Sequence, residues 1–422
     1  MSAKGPRLDR ATEIELVERV LAQHVARTTS LADTGTRIVA GQYVSAEQYR
    51  RESTALFRHA PVFACMSADL ASPGDRVSLE SGGVPVVIVR SVDGGLRAFV
   101  NVCRHRAAPL VREWGPGERS FVCPFHGWVY DTADGRLIGQ PRSCDGFDDV
   151  SPAGLALLPL AVAERFGMVL VRPGGTASID VDAWLCGLGG DLAALAFESL
   201  IPYTRARTAW QCNWKLLIDT FLESYHVPTL HKDSLGAAYI GAASPFDAFG
   251  PHNRIIVPQA GILALAGTPQ DDWNLLASAV LQYFLAPNLI ISNLYGYVMT
   301  WRFLPEAPDC TVVEHALYTY RPAESDEDRA HFDQRFEAAR AVTSNEDFPE
   351  SELVHRGLAS GMVDATVIGR NEPGIAHFHA MVRDATENTA AGAAGHPSNS
   401  VLRPPLSQSV AVRRSPTIEE RG

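Results

Sequence analysis

The pattern of apolar and polar positions changes character several times along the chain. Residues 11–28 crowd Ile14, Leu16, Val17, Val20, Leu21 and Val25 onto one side of a 3.6-residue period, which predicts an amphipathic helix. AEQYRRESTALFR at 46–58 predicts a second, shorter helix. From Val77 the texture turns to β. VPVVIVRSVDGGLRAFVNVC holds two apolar runs around a DGG turn, and FVCPFHGWVYDTADGRLIG repeats the pattern with a DG turn at 134–135. Short β runs continue through 156–172, so about 62–172 is expected to be an all-β unit. Residues 210–227 predict a helix. Residues 254–320 predict another sheet, with QYFLAPNLIISNL, YGYVMTWRFLP and CTVVEHALYTYRP as strands. Residues 323–360 predict helix charged on one face, and GIAHFHAMVRDAT at 374–386 a last helix. From Asn388 the chain is rich in Ala, Gly, Pro and Ser, so the tail 388–422 is expected to be disordered. No internal repeat is evident.

Composition narrows the function classes. The chain has 422 residues, 46% of them hydrophobic, enough to bury a sizeable core in two or three domains. A net charge of −11 argues against nucleic-acid and anionic-membrane partners, which call for a basic face. No run approaches the roughly 18 apolar residues a membrane span needs. The first residues are charged throughout and do not read as a signal peptide, so the expected location is the cytoplasm. Seven cysteines are too sparse for a disulfide scaffold. Cys65, Cys144, Cys186, Cys212 and Cys310 read as small buried hydrophobes. No G-x-G-x-x-G follows a strand, so the chain shows no flavin or nicotinamide site.

The other two cysteines belong to the first constellation. CRH at 103–105 is followed, after 17 residues, by CPFH at 123–126. Each Cys and His pair sits where an apolar strand run meets a turn-rich segment. Two such loops at one end of a β unit can present Cys103, His105, Cys123 and His126 to one small object. Two thiolates and two imidazoles form the ligand set of a Rieske [2Fe–2S] cluster, both His on one iron. The same four residue types could hold structural zinc. Zinc motifs usually run C-x2–4-C and then H-x3–5-H, whereas here each loop supplies one Cys and one His.

The second constellation is NWKLLIDTFLESYHVPTLH, 213–231. Asp219, Glu223 and His226 are spaced i, i+4, i+7 and are expected on one helix face. His226 and His231 are five apart. Pro228 between them is expected to break or kink the helix, letting His231 swing back toward His226. Two such histidines and a carboxylate would form the facial triad of a non-haem Fe(II) oxygenase. The bland alternative is two ordinary histidines near a helix end.

The quoted motifs resemble one family. NVCRHRAAPLV and CPFHGWVYDTADGRL are similar to the Rieske motif of the large (α) subunit of aromatic-ring-hydroxylating oxygenases, and YVSAEQYRRESTALFRHAPVF resembles the segment before it. E-x-Y-H-x4-H resembles the family's mononuclear-iron motif. SNEDFPESELVHRGLASG at 344–361 resembles the segment that supplies the third ligand, which nominates Asp347, with Glu346 as its rival. GRNEPGIAHFHAMV resembles the C-terminal helix.

The resemblance implies an α+β fold: an all-β Rieske domain plus a catalytic domain with an antiparallel sheet flanked by helices. The expected division is 1–58 as N-terminal helices packing on the catalytic domain, 59–175 as the Rieske domain and 176–387 as the mononuclear-iron domain. It implies two cofactors, the [2Fe–2S] cluster and a mononuclear Fe(II), and O2-dependent hydroxylation, dihydroxylation or oxidative demethylation of a small organic substrate. Electrons are expected from NAD(P)H through a separate reductase, with or without a ferredoxin. It implies a head-to-tail homotrimer, with a small β subunit as an alternative companion. Glu223 would bridge His226 to the His126 of the next subunit. Glutamate there, where ring dihydroxylases usually carry Asp, fits branches acting on quaternary amines and other non-ring carbon. Asp219 is expected to be a polar lining residue or to support the ligands, and Trp214 to be core. His377 and His379 are expected to pack or face solvent. Arg104 and Arg106 could meet an acidic ferredoxin or serve local salt bridges. The pocket is expected from Phe221, Leu222 and strands at 281–301. The rival from another class is a non-catalytic Rieske electron-transfer protein.

Overall fold

Among the described residues, four antiparallel sheets organise the chain, of two, six, seven and three strands, and three of their pairings span long sequence distances: Thr36–Val39 with Ala365–Ile368, Val62–Met66 with Met168–Arg172, and Ile201–Trp210 with Cys310–Thr319. The computed structural model describes residues 6–393, apart from 143, 145 and 148. The chain opens with helix α1 (Arg10–Ala26), capped by the Asp9 carboxylate on Thr12 N–H. Strand β1 (Thr36–Val39) and helices α2 (Gly41–Val44) and α3 (Ala46–Glu52) follow, α3 running on into a wide π-helical turn at Ser53–His59.

The first β body holds β2 (Val62–Met66), β3 (Arg76–Ser81), β4 (Val84–Arg90), β5 (Leu96–Val100), β6 (Ser120–Val122), β7 (Val129–Asp131), β8 (Leu137–Gly139), β9 (Pro159–Arg165) and β10 (Met168–Arg172). Six of them form an antiparallel sheet in the order β2-β10-β9-β5-β4-β3, and β6-β7-β8 form a small second sheet. The small sheet buries Phe121 and Tyr130 against Phe99 and Val87 of the large one, with Cys103 and Cys123 in the same cluster.

Helices α4 (Val181–Leu185) and α5 (Gly189–Leu195) lead to β11 (Ile201–Trp210), α6 (Trp214–Asp219) and α7 (Val227–Leu230). Then come β12 (Phe246–Phe249), β13 (His252–Pro258), β14 (Ala279–Leu285), β15 (Leu289–Leu294), β16 (Tyr297–Ala307) and β17 (Cys310–Thr319). These strands make a seven-stranded antiparallel sheet, order β11-β17-β16-β15-β14-β13-β12. Helices α8 (Asp326–Val342) and α9 (Phe348–Ala359), β18 (Ala365–Ile368) and α10 (Pro373–Ala393) complete the chain, with a π-helical turn at Thr343–Asp347 joining α8 to α9. This is the expected α+β architecture.

Strand alternation explains why the central strands read as nearly continuous apolar runs. Tyr297, Met299, Trp301 and Phe303 face one core with Trp214, Leu217, Phe348 and Phe378. Val298, Leu281, Tyr283 and Ile291 face the other, with Leu16 and Val20 of α1 and Leu185 and Leu192 of α4 and α5. Both faces are covered by helices. Asp69 ties the two bodies together by taking the Tyr318 hydroxyl (2.8 Å) and an Arg205 ion pair (2.5 Å).

Five expectations need correction. Residues 210–227 are not one helix: α6 ends at Asp219 and α7 starts at Val227. Between them, tertiary bonds replace the helical ladder. Gln282 donates its side-chain amide to Phe221 O, and Ser224 Oγ lies 2.8 Å from Ser244 Oγ. Asp219, Glu223 and His226 therefore do not share a helix face. Pro228 sits in the first turn of α7, where its missing N–H costs nothing, so it starts a helix rather than breaking one. Cys65 and Cys212 are buried as expected, but Cys144 and Cys186 are exposed and Cys310 is half-buried. Disorder was expected from Asn388, yet α10 runs on to Ala393; the rest of the tail lies outside the described residues. Among the described residues no helix is long and apolar enough to cross a membrane.

Candidate metal centres and substrate cavity

The two Cys and His loops repeat one backbone plan. Cys103 N–H donates to Ala108 O (2.8 Å) and Ala107 N–H to Cys103 O (2.9 Å); Cys123 N–H donates to Trp128 O (2.8 Å) and Gly127 N–H to Cys123 O (2.9 Å). Ala107 (φ 57) and Gly127 (φ 72) turn each loop through the left-handed region, where glycine is at ease and alanine is not. The shared plan brings the His105 and His126 rings to 4.6 Å between centroids. His105 also stacks on Trp128, at 4.7 Å and 11°.

Two residues that the sequence reading passed over fix these loops. Asn101 closes the first by accepting Leu110 and Val111 N–H (3.1 and 3.0 Å) and donating to Val111 O (2.6 Å). Tyr130 sets its hydroxyl 3.3 Å from Cys103 Sγ and accepts Arg104 N–H at 2.9 Å. With Cys103 as a thiolate the hydroxyl donates to sulfur, a contact that tunes a cluster's potential. Both stand inside the quoted motifs, NVCRH and HGWVY. Both cysteines are buried, and His105 Nδ1 is buried without a hydrogen-bond partner, which fits a nitrogen reserved for a metal. A single tetrahedral zinc would draw its ligand atoms within about 4 Å of one another. Among the described residues, these four side chains do not form such a tight group. Two Cys on one iron and two His on another need no such crowding.

The second centre is tight. His226, His231 and Asp347 bring ligand atoms within 4.8 Å of one another. His226 Nε2 and His231 Nε2 are 3.1 Å apart, and Asp347 Oδ1 lies 3.4 and 3.2 Å from them. Asp347 Oδ1 is buried with no well-aligned hydrogen bond. The other face of each imidazole is held by a glutamate. His226 Nδ1 contacts Glu223 Oε1, and His231 Nδ1 lies 2.7 Å from Glu346 Oε2. Each Nδ1–H therefore donates outward and each Nε2 is left for the centre. Glu346, the rival of Asp347, is thus the orienting partner of His231.

The electrostatics call for a cation. Three carboxylates surround two imidazoles. Burial disfavours charge on His226, but Asp347 and Glu223 outweigh it and push its pKa up to about 10. Burial likewise works against the Asp347 charge, yet the two imidazoles hold its pKa below the usual carboxylate range. The donor set fits a divalent metal with one face left open.

That open face looks into a cavity of 240 Å³. Phe221, Leu294, Tyr297, Met299 and Trp301 line it, as expected of the 281–301 strands, and Val342, Ala339 and Arg335 of α8 add a wall that was not foreseen. Leu222 is core instead. Asp219 is not brought to the cavity. It accepts the Tyr43 hydroxyl (2.9 Å) and meets His379 Nε2 (3.0 Å), so His379 is buried packing, not surface. His377 Nε2 donates to Gly250 O (2.8 Å), also away from metal. Trp214 is fully buried core. Arg106 lies over the exposed Phe125 ring, 5.1 Å from its centroid.

Comparison with known proteins agrees with this geometry. Residues 60–148 match the Rieske [2Fe-2S] domain, and residues 197–388 match the catalytic domain of ring hydroxylating alpha subunits. Choline monooxygenase, chloroplastic, of Arabidopsis thaliana is 30% identical over 71% of this chain and 71% of its own length. The Beta vulgaris protein of the same name is 30% identical over 72% of this chain, and the chain spans just under two thirds (66%) of that relative's length. The solved structure of the quaternary ammonium Rieske monooxygenase CntA has the same fold, with a TM-score of 0.72 and 22% identity over 85% of this chain and 96% of that one. The chain belongs to the family of Rieske oxygenase α subunits. Its cofactors are the Rieske [2Fe–2S] cluster and a mononuclear iron, as the two matched domains imply.

Proposed function

We propose that the chain is the terminal oxygenase of a Rieske non-haem iron system, inserting oxygen from O2 into a small organic molecule. The convergence of His226 Nε2, His231 Nε2 and Asp347 Oδ1 on one point beside the cavity carries this reading. Cys103, His105, Cys123 and His126 would hold the cluster, and His226, His231 and Asp347 the iron. When bound, these groups supply single electrons and O2 activation. The domain division at 59–175 and 176–387, after N-terminal helices packing on the second domain, belongs to the same proposal. Electrons would come from NAD(P)H through a separate reductase, with or without a ferredoxin.

The protein's own residues do the positioning. Glu223 and Glu346 fix the two imidazole tautomers. The cavity beside the open face is mostly apolar and has room for about eight waters' volume, so the substrate is small. Relatives named choline and quaternary ammonium monooxygenases, and glutamate at position 223, favour hydroxylation or oxidative demethylation of non-ring carbon over ring dihydroxylation.

A homotrimer with the cluster of one chain beside the iron of the next is part of the proposal. A carboxylate has about four acceptor sites. Glu223 uses three, on Tyr225 N–H, His226 N–H and His226 Nδ1–H, leaving one on Oε1 for the next chain's His126. His126 is exposed, and two exposed aromatic side chains flank the partners: Phe125 beside His126 (55% exposed) and Tyr225 beside Glu223 (68%). An exposed aromatic is a common interface residue. The test is a product screen with 18O2 and a surrogate reductase, starting from choline and other quaternary amines. Label in a hydroxylated or demethylated product, lost in His226→Ala, is expected. Reductase-driven cluster turnover without label in any product contradicts the reading.

A further inference from the structure

One Lys or Arg side chain, Arg335, lines the substrate cavity, and it is uncommitted; the buried Trp301 indole N–H also lacks a partner but carries no charge. Thr220, Ser224, Gln282, Ser292 and Thr343 line the cavity but are tied to protein partners: Thr220 Oγ1 to Leu217 O (2.9 Å), Ser224 to Ser244 (2.8 Å), Gln282 to Phe221 O, Ser292 to Gln282 (3.4 Å) and Thr343 to Ala339 O (3.1 Å). Arg335 and Tyr297 differ. Among the described residues Arg335 has no ion pair or hydrogen bond, whereas the two other arginines of α8 are paired, Arg329 with Asp326 and Arg340 with Glu337. The Tyr297 side chain is buried, yet its hydroxyl has no partner there and is not enclosed. The two lie on the same stretch of wall: the Tyr297 ring packs on His331 and Phe332 of α8, about one helical turn before Arg335, and both line the cavity.

Their place in the cavity is defined by the helix. Arg335 precedes Thr343 by eight residues, about 12 Å along α8, and Asp347 lies beyond Thr343. Arg335 is exposed, so it marks the mouth, and the metal centre marks the far end. Leu235, Val257, Leu294, Met299 and Val342 make much of the remaining wall apolar.

We propose that Arg335 and the Tyr297 hydroxyl are the anchoring end of this cavity and take a carboxylate, so that the substrate is a small carboxylate-bearing molecule whose opposite end reaches His226, His231 and Asp347. This rests on the oxygenase reading of the same cavity. A guanidinium fork matches a planar carboxylate in two parallel hydrogen bonds, and a phenol supplies a third donor. No acidic side chain lines the Arg335 end to receive a cation instead.

The experiment is calorimetric titration of the metallated protein with two acids, 4-(trimethylammonio)butanoate and 3-phenylpropanoate, each against its primary amide. At least one acid is expected to bind about ten- to hundred-fold more tightly than its amide, the size of a charge-assisted hydrogen bond. Arg335→Gln should bring acid and amide within about two-fold, and Tyr297→Phe should lose part of the preference; Arg335→Lys should retain part. Equal binding of acid and amide, binding of neither acid, or a preference that survives in Arg335→Gln overturns the proposal. Iron content separates the two readings. A protein that holds its mononuclear iron but shows no acid preference overturns the anchoring end alone. A protein that takes up no mononuclear iron overturns the oxygenase reading, whichever ligand binds.

Discussion

Glu346 and Asp347 are adjacent in the chain and contact opposite edges of the same imidazole, His231. Their substitutions should therefore separate. Asp347→Ala should abolish stoichiometric Fe(II) uptake in an anaerobic titration. Glu346→Gln should keep the stoichiometry and weaken affinity about ten-fold, as loss of a ligand's orienting partner does. Equal effects would contradict the assignment. Sequence alone left the two carboxylates as rivals, because an N-E-D run carries no sign of which side chain the π-helical turn at Thr343–Asp347 aims inward. Asn101 and Tyr130 were unreadable for a similar reason: their roles depend on a loop's return path, not on spacing. A second residue-scale prediction concerns His252, fully buried in its neutral form. Its Nε2–H donates to Trp184 O (2.7 Å) and its Nδ1 accepts Ala286 N–H (3.0 Å). Burial pulls its pKa down to about 4. The unfolded chain, with His near 6.5, then binds more protons than the native one between pH 6.5 and 4, so stability falls as pH drops through that window. The contribution lost between pH 7 and pH 5 is about 2 kcal/mol. Urea unfolding at both pH values should show His252→Asn less pH-dependent than the parent by about that amount. An unchanged slope would contradict it.

The short helix α6 is where elements from three regions of the chain meet. Lys215 and Glu52 are both fully buried and pair at 2.7 Å, while Trp214 Nε1 donates to the same carboxylate (2.9 Å). One turn later Asp219 receives Tyr43 of α2 and His379 of α10. The N-terminal helices thus hold the element that leads into the metal loop. Gly374 of α10 sharpens the hold: a Cβ there would meet Leu222 O at 2.3 Å, next to Glu223. Removing one partner of a buried ion pair strands the other, so Lys215→Met should cost about 3–5 kcal/mol in urea unfolding. The double variant Lys215→Met with Glu52→Leu should recover most of it; a double variant as unstable as the single one would sink this account. The apolar periodicity of α1, α8 and α10 made those helices legible in the sequence. The continuous helix read at 210–227 failed because its ladder is replaced by bonds from Gln282 and Ser244, which periodicity cannot register. Strand β11, with its exposed and half-buried alternation in IPYTRARTAW, and the β1 to β18 pairing across the whole chain were invisible for lack of a local apolar signal.

At the scale of the whole molecule, the sequence motifs announced two metal centres and two bodies; the fold brings His226, His231 and Asp347 together and builds separate six- and seven-stranded sheets. What they left open is how the centres meet. If Glu223 of one chain takes His126 of the next, a functional unit is assembled from two chains. Two inactive variants should then complement. Co-expressed Cys103→Ser, lacking a cluster site, and His226→Ala, lacking an iron site, should form mixed oligomers with a measurable fraction of parental turnover. Either variant alone should have none. No recovery in verified mixed oligomers would place electron transfer within one chain.

The central claim is that the chain carries both centres, the cluster on Cys103, His105, Cys123 and His126 and a separate iron on His226, His231 and Asp347. Iron and acid-labile sulfide analysis of the reconstituted protein tests it most directly. About three irons and two sulfides per chain are expected, falling to about two irons with sulfide unchanged in His226→Ala. A parental protein that never exceeds about two irons per chain, or one that loses sulfide with that substitution, would contradict the account.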